Sequence, residues 1–72
     1  MAQRDASRHV ERRFGFNRRR YSVKLIFLDK GVCVEEVAVD GGPRGHISGV
    51  VFESEDEALL TAHHLARNLI GD

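Results

Sequence analysis

The chain has 72 residues, a single cysteine and a formal net charge of zero. A chain of this length makes one domain at most and buries only about 60% of its unfolded surface. Cys33 alone excludes an internal disulfide, which suits a reducing compartment. No secretory signal follows the polar, basic N-terminus, and no stretch approaches the roughly 20 apolar residues that span a bilayer. A cytoplasmic protein without membrane attachment is expected.

The zero balance hides a division. Residues 1–20 carry seven arginines against Asp5 and Glu11, whereas residues 21–72 carry four basic side chains against nine acidic ones. A basic arm over 1–20 therefore precedes an acidic body over 21–72, a pattern typical of interaction tails. The arm has few apolar groups. Ser7–Arg13 has the length for only a short helix, marginal in water without packing, and Gly15 would end it. The arm is expected to be flexible when free. Phe14 and Phe16 are costly to leave wet there, so they either close one side of a small core or anchor a partner.

Tyr21 to Leu28 reads as a strand. Tyr21, Val23, Leu25 and Phe27 alternate with the other set and point to the core. Ile26 and Leu28 on the opposite face imply partial cover there. Asp29-Lys30-Gly31 reads as a type I turn closed by a left-handed glycine with a bulge. Val32 to Val39 is the second strand, and its valines change parity between Val34 and Val37. A bulge at Glu35-Glu36 reconciles them, as would a strand buried on both faces. Gly41-Gly42-Pro43-Arg44-Gly45 is a flexible loop presenting Arg44. His46 to Phe52 reads as a third strand, with Gly49 marking a bulge or close approach. Ser54 and Glu57 form a capping box, and Glu55, Asp56 and Glu57 suit the positive end of a helix dipole. The helix runs from about Glu55 to Ile70, with a buried stripe of Ala58, Ala62, Leu65, Ala66 and Leu69, and Gly71 follows it as a stop. The order gives an α+β fold: a three-stranded antiparallel sheet (β-β-β-α) with one C-terminal helix packed on a face.

No catalytic set is evident. His63 and His64 point about 100° apart on a helix and cannot share one ion without strain, and no paired cysteine exists. Ser48 and His46 have no feature that marks activation. The glycine-rich loop is followed by a strand and so lacks the helix N-terminus of a phosphate cradle. Neither an enzyme, a metal site nor a cofactor is expected, and binding is left. The residues assigned to it are Arg8, Arg12, Arg13, Phe14, Phe16, Arg18, Arg19, Arg20 and Arg44. The chain is expected to act alone, as a monomer, without further domains.

Two resemblances bear on the partner. The junction Gly49-Val50-Val51-Phe52-Glu53-Ser54-Glu55-Asp56-Glu57-Ala58, after three strands and a basic tail, resembles the arm-site DNA-binding domains of tyrosine recombinases over about residues 12–70. That likeness implies DNA binding. Those domains read the major groove with the sheet; here the sheet carries Glu35, Glu36 and Glu53, and an acidic body repels a polyanion, so any DNA contact falls to the arginine-rich arm. In size, charge division and compactness the whole chain is similar to small phage-encoded proteins that disable a host machine, among them RNA polymerase inhibitors of the Xp10 type and anti-CRISPR proteins. That likeness implies a regulator or inhibitor that docks on a nucleic-acid-handling protein complex, with host RNA polymerase and transcription as the first candidates.

Overall fold

The computed structural model describes residues 8–71. The class is the expected one, α+β. Three main antiparallel strands and a short fourth form a sheet, and one C-terminal helix packs on it. The strands are β1 (Arg8–Phe16), β2 (Arg19–Leu28), β3 (Gly31–Val39) and β4 (Arg44–Gly45), in spatial order β1-β2-β3-β4, followed by α1 (Glu55–Ile70).

Membership of the sheet differs from the sequence expectation at both ends. Arg8–Phe16, read as flexible arm or short helix, is a strand paired to β2 along its whole length; the arm before Arg8 lies outside the described residues. Val10, Phe14 and Phe16 share one face with Tyr21 and Leu25 of β2, and the burial of that face holds the strand in place. The connection is a two-residue turn, Asn17-Arg18, with both residues at positive φ (54° and 65°), the backbone of a type I′ turn. Asparagine adopts it readily; arginine in place of the usual glycine conceals it.

At the other end, His46–Phe52 is not a strand. Only Arg44–Gly45 pairs with β3, opposite Ala38 and Val37, and Phe52 makes a single bridge to Val32. Gly49 sits at φ 74°, which breaks the extended run. Between these pins residues 46–51 leave the ladder: Ile47 still packs against the core, whereas Val50 and Val51 are exposed.

The parity change in β3 is a bulge at Glu35. Leu25 faces Val34 and Lys24 faces Glu36, with Glu35 left over. All four β3 valines, Val32, Val34, Val37 and Val39, are thereby buried with Tyr21, Val23 and Leu25 under the helix. Ala58, Ala62 and Ala66 are fully buried and bring the helix backbone close to the sheet; Leu65 and Leu69 flank them, partly buried. The capping box forms, with Ser54 Oγ accepting from the Glu57 N–H at 3.2 Å. Its reciprocal bond comes from the Glu53 N–H to Glu57 Oε1 at 3.3 Å, one residue earlier than the motif suggests. At the far end the Gly71 N–H bonds the Arg67 carbonyl.

The β2–β3 hairpin also differs in detail. Leu28 pairs with Gly31 across a two-residue turn, and Gly31 has φ 151° instead of a left-handed helical conformation. Its glycine is required by the bridge: a Cβ there would lie 2.3 Å from the Phe52 carbonyl oxygen. Gly31→Ala is therefore expected to push the segment leading to α1 off the sheet and to cost about 1–3 kcal/mol. Thermal unfolding checks this; a midpoint equal to the parent's would mean that the Phe52 bridge contributes nothing to stability.

Candidate binding surface

The nine residues assigned to binding from the sequence do not form one patch. Arg8, Arg12, Phe14 and Phe16 lie on the helix side of β1. Arg8 stands over the Phe27 ring at 5.1 Å. Arg12 Nε donates to Glu55 Oε2 at 2.9 Å, its second contact running from Nη2 to Oε1 at 3.4 Å. This bond raises the Arg12 pKa and lowers that of Glu55, and it ties β1 to the first turn of α1. Arg13, on the open side, contacts Asp40 at 3.3 Å and Glu11 at 3.8 Å. Arg44 lies 3.7 Å from Glu36, which Lys24 also approaches at 3.6 Å. His46 Nδ1 lies 3.1 Å from the Glu35 carbonyl, an acceptor at the bulge. The open sheet face is thus a lattice of alternating charges, and its cations are largely matched.

Arg18, Arg19 and Arg20 are different. They cluster at the β1–β2 turn, all exposed, with no carboxylate within ion-pair distance among the described residues. At the same end of β1, on the helix side, lies an aromatic groove of about 540 Å³ bounded by the outer side of α1; none of the three arginines lines it. Phe14 stacks at a tilt on Tyr21, with centroids 5.7 Å apart, and meets the His63 ring edge-on at 4.6 Å. The Arg67 guanidinium covers Phe16 at 4.9 Å, and Leu60 on the groove wall is 60% exposed. The two phenylalanines therefore pack on the core and also wall the groove, so the two roles considered for them from the sequence are not exclusive.

Tyr21 and His63 are joined by a 2.6 Å contact from the hydroxyl to Nδ1. Burial, and then the neighbouring His64, lower the His63 pKa. Burial raises that of Tyr21 against the opposing charge of Arg67. In the neutral pair the direction follows the tautomer: with the ring proton on Nε2 the tyrosine hydroxyl donates to Nδ1, and with it on Nδ1 the ring donates to the tyrosine oxygen. Among the described residues no group of three or more His, Cys, Asp or Glu side chains converges as a metal site would require. Among the described residues no helix is long and apolar enough to cross a membrane.

Leu60, His63 and Arg67 are not among the nine residues assigned to binding from the sequence. Their spacing of three and four is a helical stripe beside the alanine stripe, and that was the available signal. Comparisons with protein-family models, with curated proteins and with solved structures find no match to the chain.

The lowered pKa gives His63 a defined signature. The folded state resists protonation that the unfolded chain accepts at its ordinary value, near 6.5. Stability contributed by neutral His63 is therefore intact above that pH and falls as pH drops from about 6.5 toward the depressed folded value. His63→Phe is expected to remove this part of the pH dependence. Melting midpoints of parent and variant across the acidic range check it; parallel curves would contradict the assignment.

Proposed function

We propose that this protein acts by binding rather than catalysis, docking through the basic β1–β2 turn and its aromatic groove on an acidic surface of a larger protein assembly. The observation that carries this reading is the set Arg18, Arg19 and Arg20: three exposed arginines without acidic partners among the described residues, at the end of β1 where Phe14, Phe16 and Leu60 wall a groove. Elsewhere the arginines of β1 are engaged with Glu55, Asp40 or Phe27. Unmatched cations steer association and an adjoining aromatic surface supplies affinity. The partner this favours is a nucleic-acid-handling complex, with RNA polymerase first, and the outcome of docking is regulation or inhibition of transcription.

Arginine next to aromatics also suits phosphate contacts and base stacking. The matched charges of the sheet face argue for confining such contacts to the turn. The two readings separate in one experiment. Binding of the full chain to purified RNA polymerase and to duplex DNA is measured over a salt series, with the parent and with Arg18, Arg19 and Arg20 all replaced by alanine. The triple variant is expected to fold as the parent does, since exposed charges contribute little to stability, and to associate with the polymerase more slowly. Binding to DNA alone, with a log–log salt slope that shrinks by about 0.9 per lost phosphate contact, would replace the protein partner with DNA. Parent and variant associating with equal rates would remove the turn from the function.

A further inference from the structure

We propose that two copies of this chain join edge to edge through β1, making one continuous sheet across a two-fold axis at Arg12. Among the described residues β1 is the outermost strand, and nothing pairs with its outer edge. It is nine residues long. The opposite edge of the sheet is only the short β4 and the Phe52 bridge. A long open edge is a template for another strand, and its sequence decides which strand fits.

The two-residue turn fixes which groups point outward. Phe16 and Arg19 close it, so they exchange both of their hydrogen bonds, and even-numbered residues of β1 face β2. His9, Glu11, Arg13 and Gly15 direct their N–H and C=O groups to the open edge. A two-fold axis perpendicular to the sheet keeps helix faces on one side and makes the strands antiparallel. Like faces then meet only if the axis passes through a residue. Centred on Arg12, the register pairs Glu11 with Arg13 of the second copy, and Arg13 with its Glu11. It pairs His9 with Gly15, so that every outward-facing residue exchanges both bonds. Centring on Glu11 would set that carboxylate against itself, and centring on Arg13 would do the same with guanidinium groups. Charged edges usually prevent pairing; of these three centrings, only that on Arg12 makes the outward-facing charges, Glu11 and Arg13, self-complementary.

Other features of β1 agree with that register. Val10 faces Phe14 of the second copy, and both are only partly covered by their own chain. Arg12 would approach its symmetry mate, yet each is already held by Glu55 at 2.9 Å. Gly15 has room for a side chain in its own chain, the nearest atom to a Cβ being the Arg19 carbonyl oxygen at 3.6 Å. Its absence of a side chain becomes useful opposite the bulky His9. The helix reaches β1 through Glu55, His63 and Arg67, all against the helix-side residues Arg12, Phe14 and Phe16, and none of these contacts is made to the outward-facing residues His9, Glu11, Arg13 and Gly15. The two Arg18–Arg20 turns then lie at opposite ends of the seam, giving the pair two basic ends in place of the single one of the monomer expected from the sequence.

The test is sedimentation equilibrium of the full chain over a concentration series, with charge swaps at the seam. The parent is expected to reach twice the monomer mass. Glu11→Arg and Arg13→Glu, each alone, set like charges opposite one another twice and are expected to raise the dimer dissociation constant about tenfold. The double swap restores the pairing and should recover the parent value, while thermal melts confirm that every variant folds. Register is read independently by Arg12→Cys in a Cys33→Ser background. Residues on the axis form a non-hydrogen-bonded pair with Cα atoms about 4.5 Å apart, within disulfide reach, so oxidation should give a covalent dimer. A monomer at all concentrations overturns the proposal. So does a dimer indifferent to the single swaps, or one that crosslinks through Glu11→Cys and not through Arg12→Cys.

Discussion

The structure depends on how β3 accommodates one extra residue. Strand side chains alternate faces, and a chain that kept strict alternation through β3 would bury Val32 and Val34 while turning Val37 and Val39 to water. Glu35 absorbs the mismatch by standing outside the ladder between the Leu25–Val34 and Lys24–Glu36 pairs. With it in place, Val34 and Val37 are both fully buried beside Val23 and Leu25. A domain of this size has no second core to compensate for losing two of those groups. The helix follows from the same constraint. Its alanines can approach closely only because the valines beneath present a continuous, low surface, and that closeness brings Glu55 to Arg12 and His63 to Tyr21.

The bulge and the helix were legible in the sequence because each leaves a local mark. The valine parity change at Glu35-Glu36 locates the first, and Ser54, Glu57 and Gly71 bound the second. β1 was hidden for a physical reason. Its helix-side positions alternate Arg8, Val10, Arg12, Phe14 and Phe16, and the two arginines interrupt the apolar period. They are tolerated there because Phe27 and Glu55 receive them, and those partners are distant in sequence. Segment 46–52 failed in the opposite sense. Its residues favour strand locally, but Gly49 turns the chain, and the only pairing left is that of Phe52 with Val32.

The same long-range matching explains the partial legibility of the candidate binding surface. A surplus of arginine near the N-terminus is visible in the sequence, whereas which arginines are already matched is not. Folding engages Arg8, Arg12 and Arg13 within the domain and places Arg18, Arg19 and Arg20 together at a turn. It also carries Phe14 and Phe16 onto the helix, where they meet Leu60, His63 and Arg67. The basic arm is thereby converted into an edge strand with a basic end. Part of its charge division is an internal complement, since Arg12 and Arg13 of β1 meet Glu55 and Asp40 of the acidic body.

The central claim, that Glu35 is a surplus residue held outside the ladder so that β3 stays in phase with the core, is tested most directly by deleting single residues and measuring thermal unfolding. Removal of Glu35 leaves the Leu25–Val34 and Lys24–Glu36 pairs in register, so that variant is expected to fold and to melt cooperatively near the parent. Removal of Lys24 from β2, where alternation is regular, inverts the faces of part of that strand and should abolish the cooperative transition. If the Glu35 deletion unfolds the domain as completely as the Lys24 deletion, the bulge has another role and the account of the core is wrong.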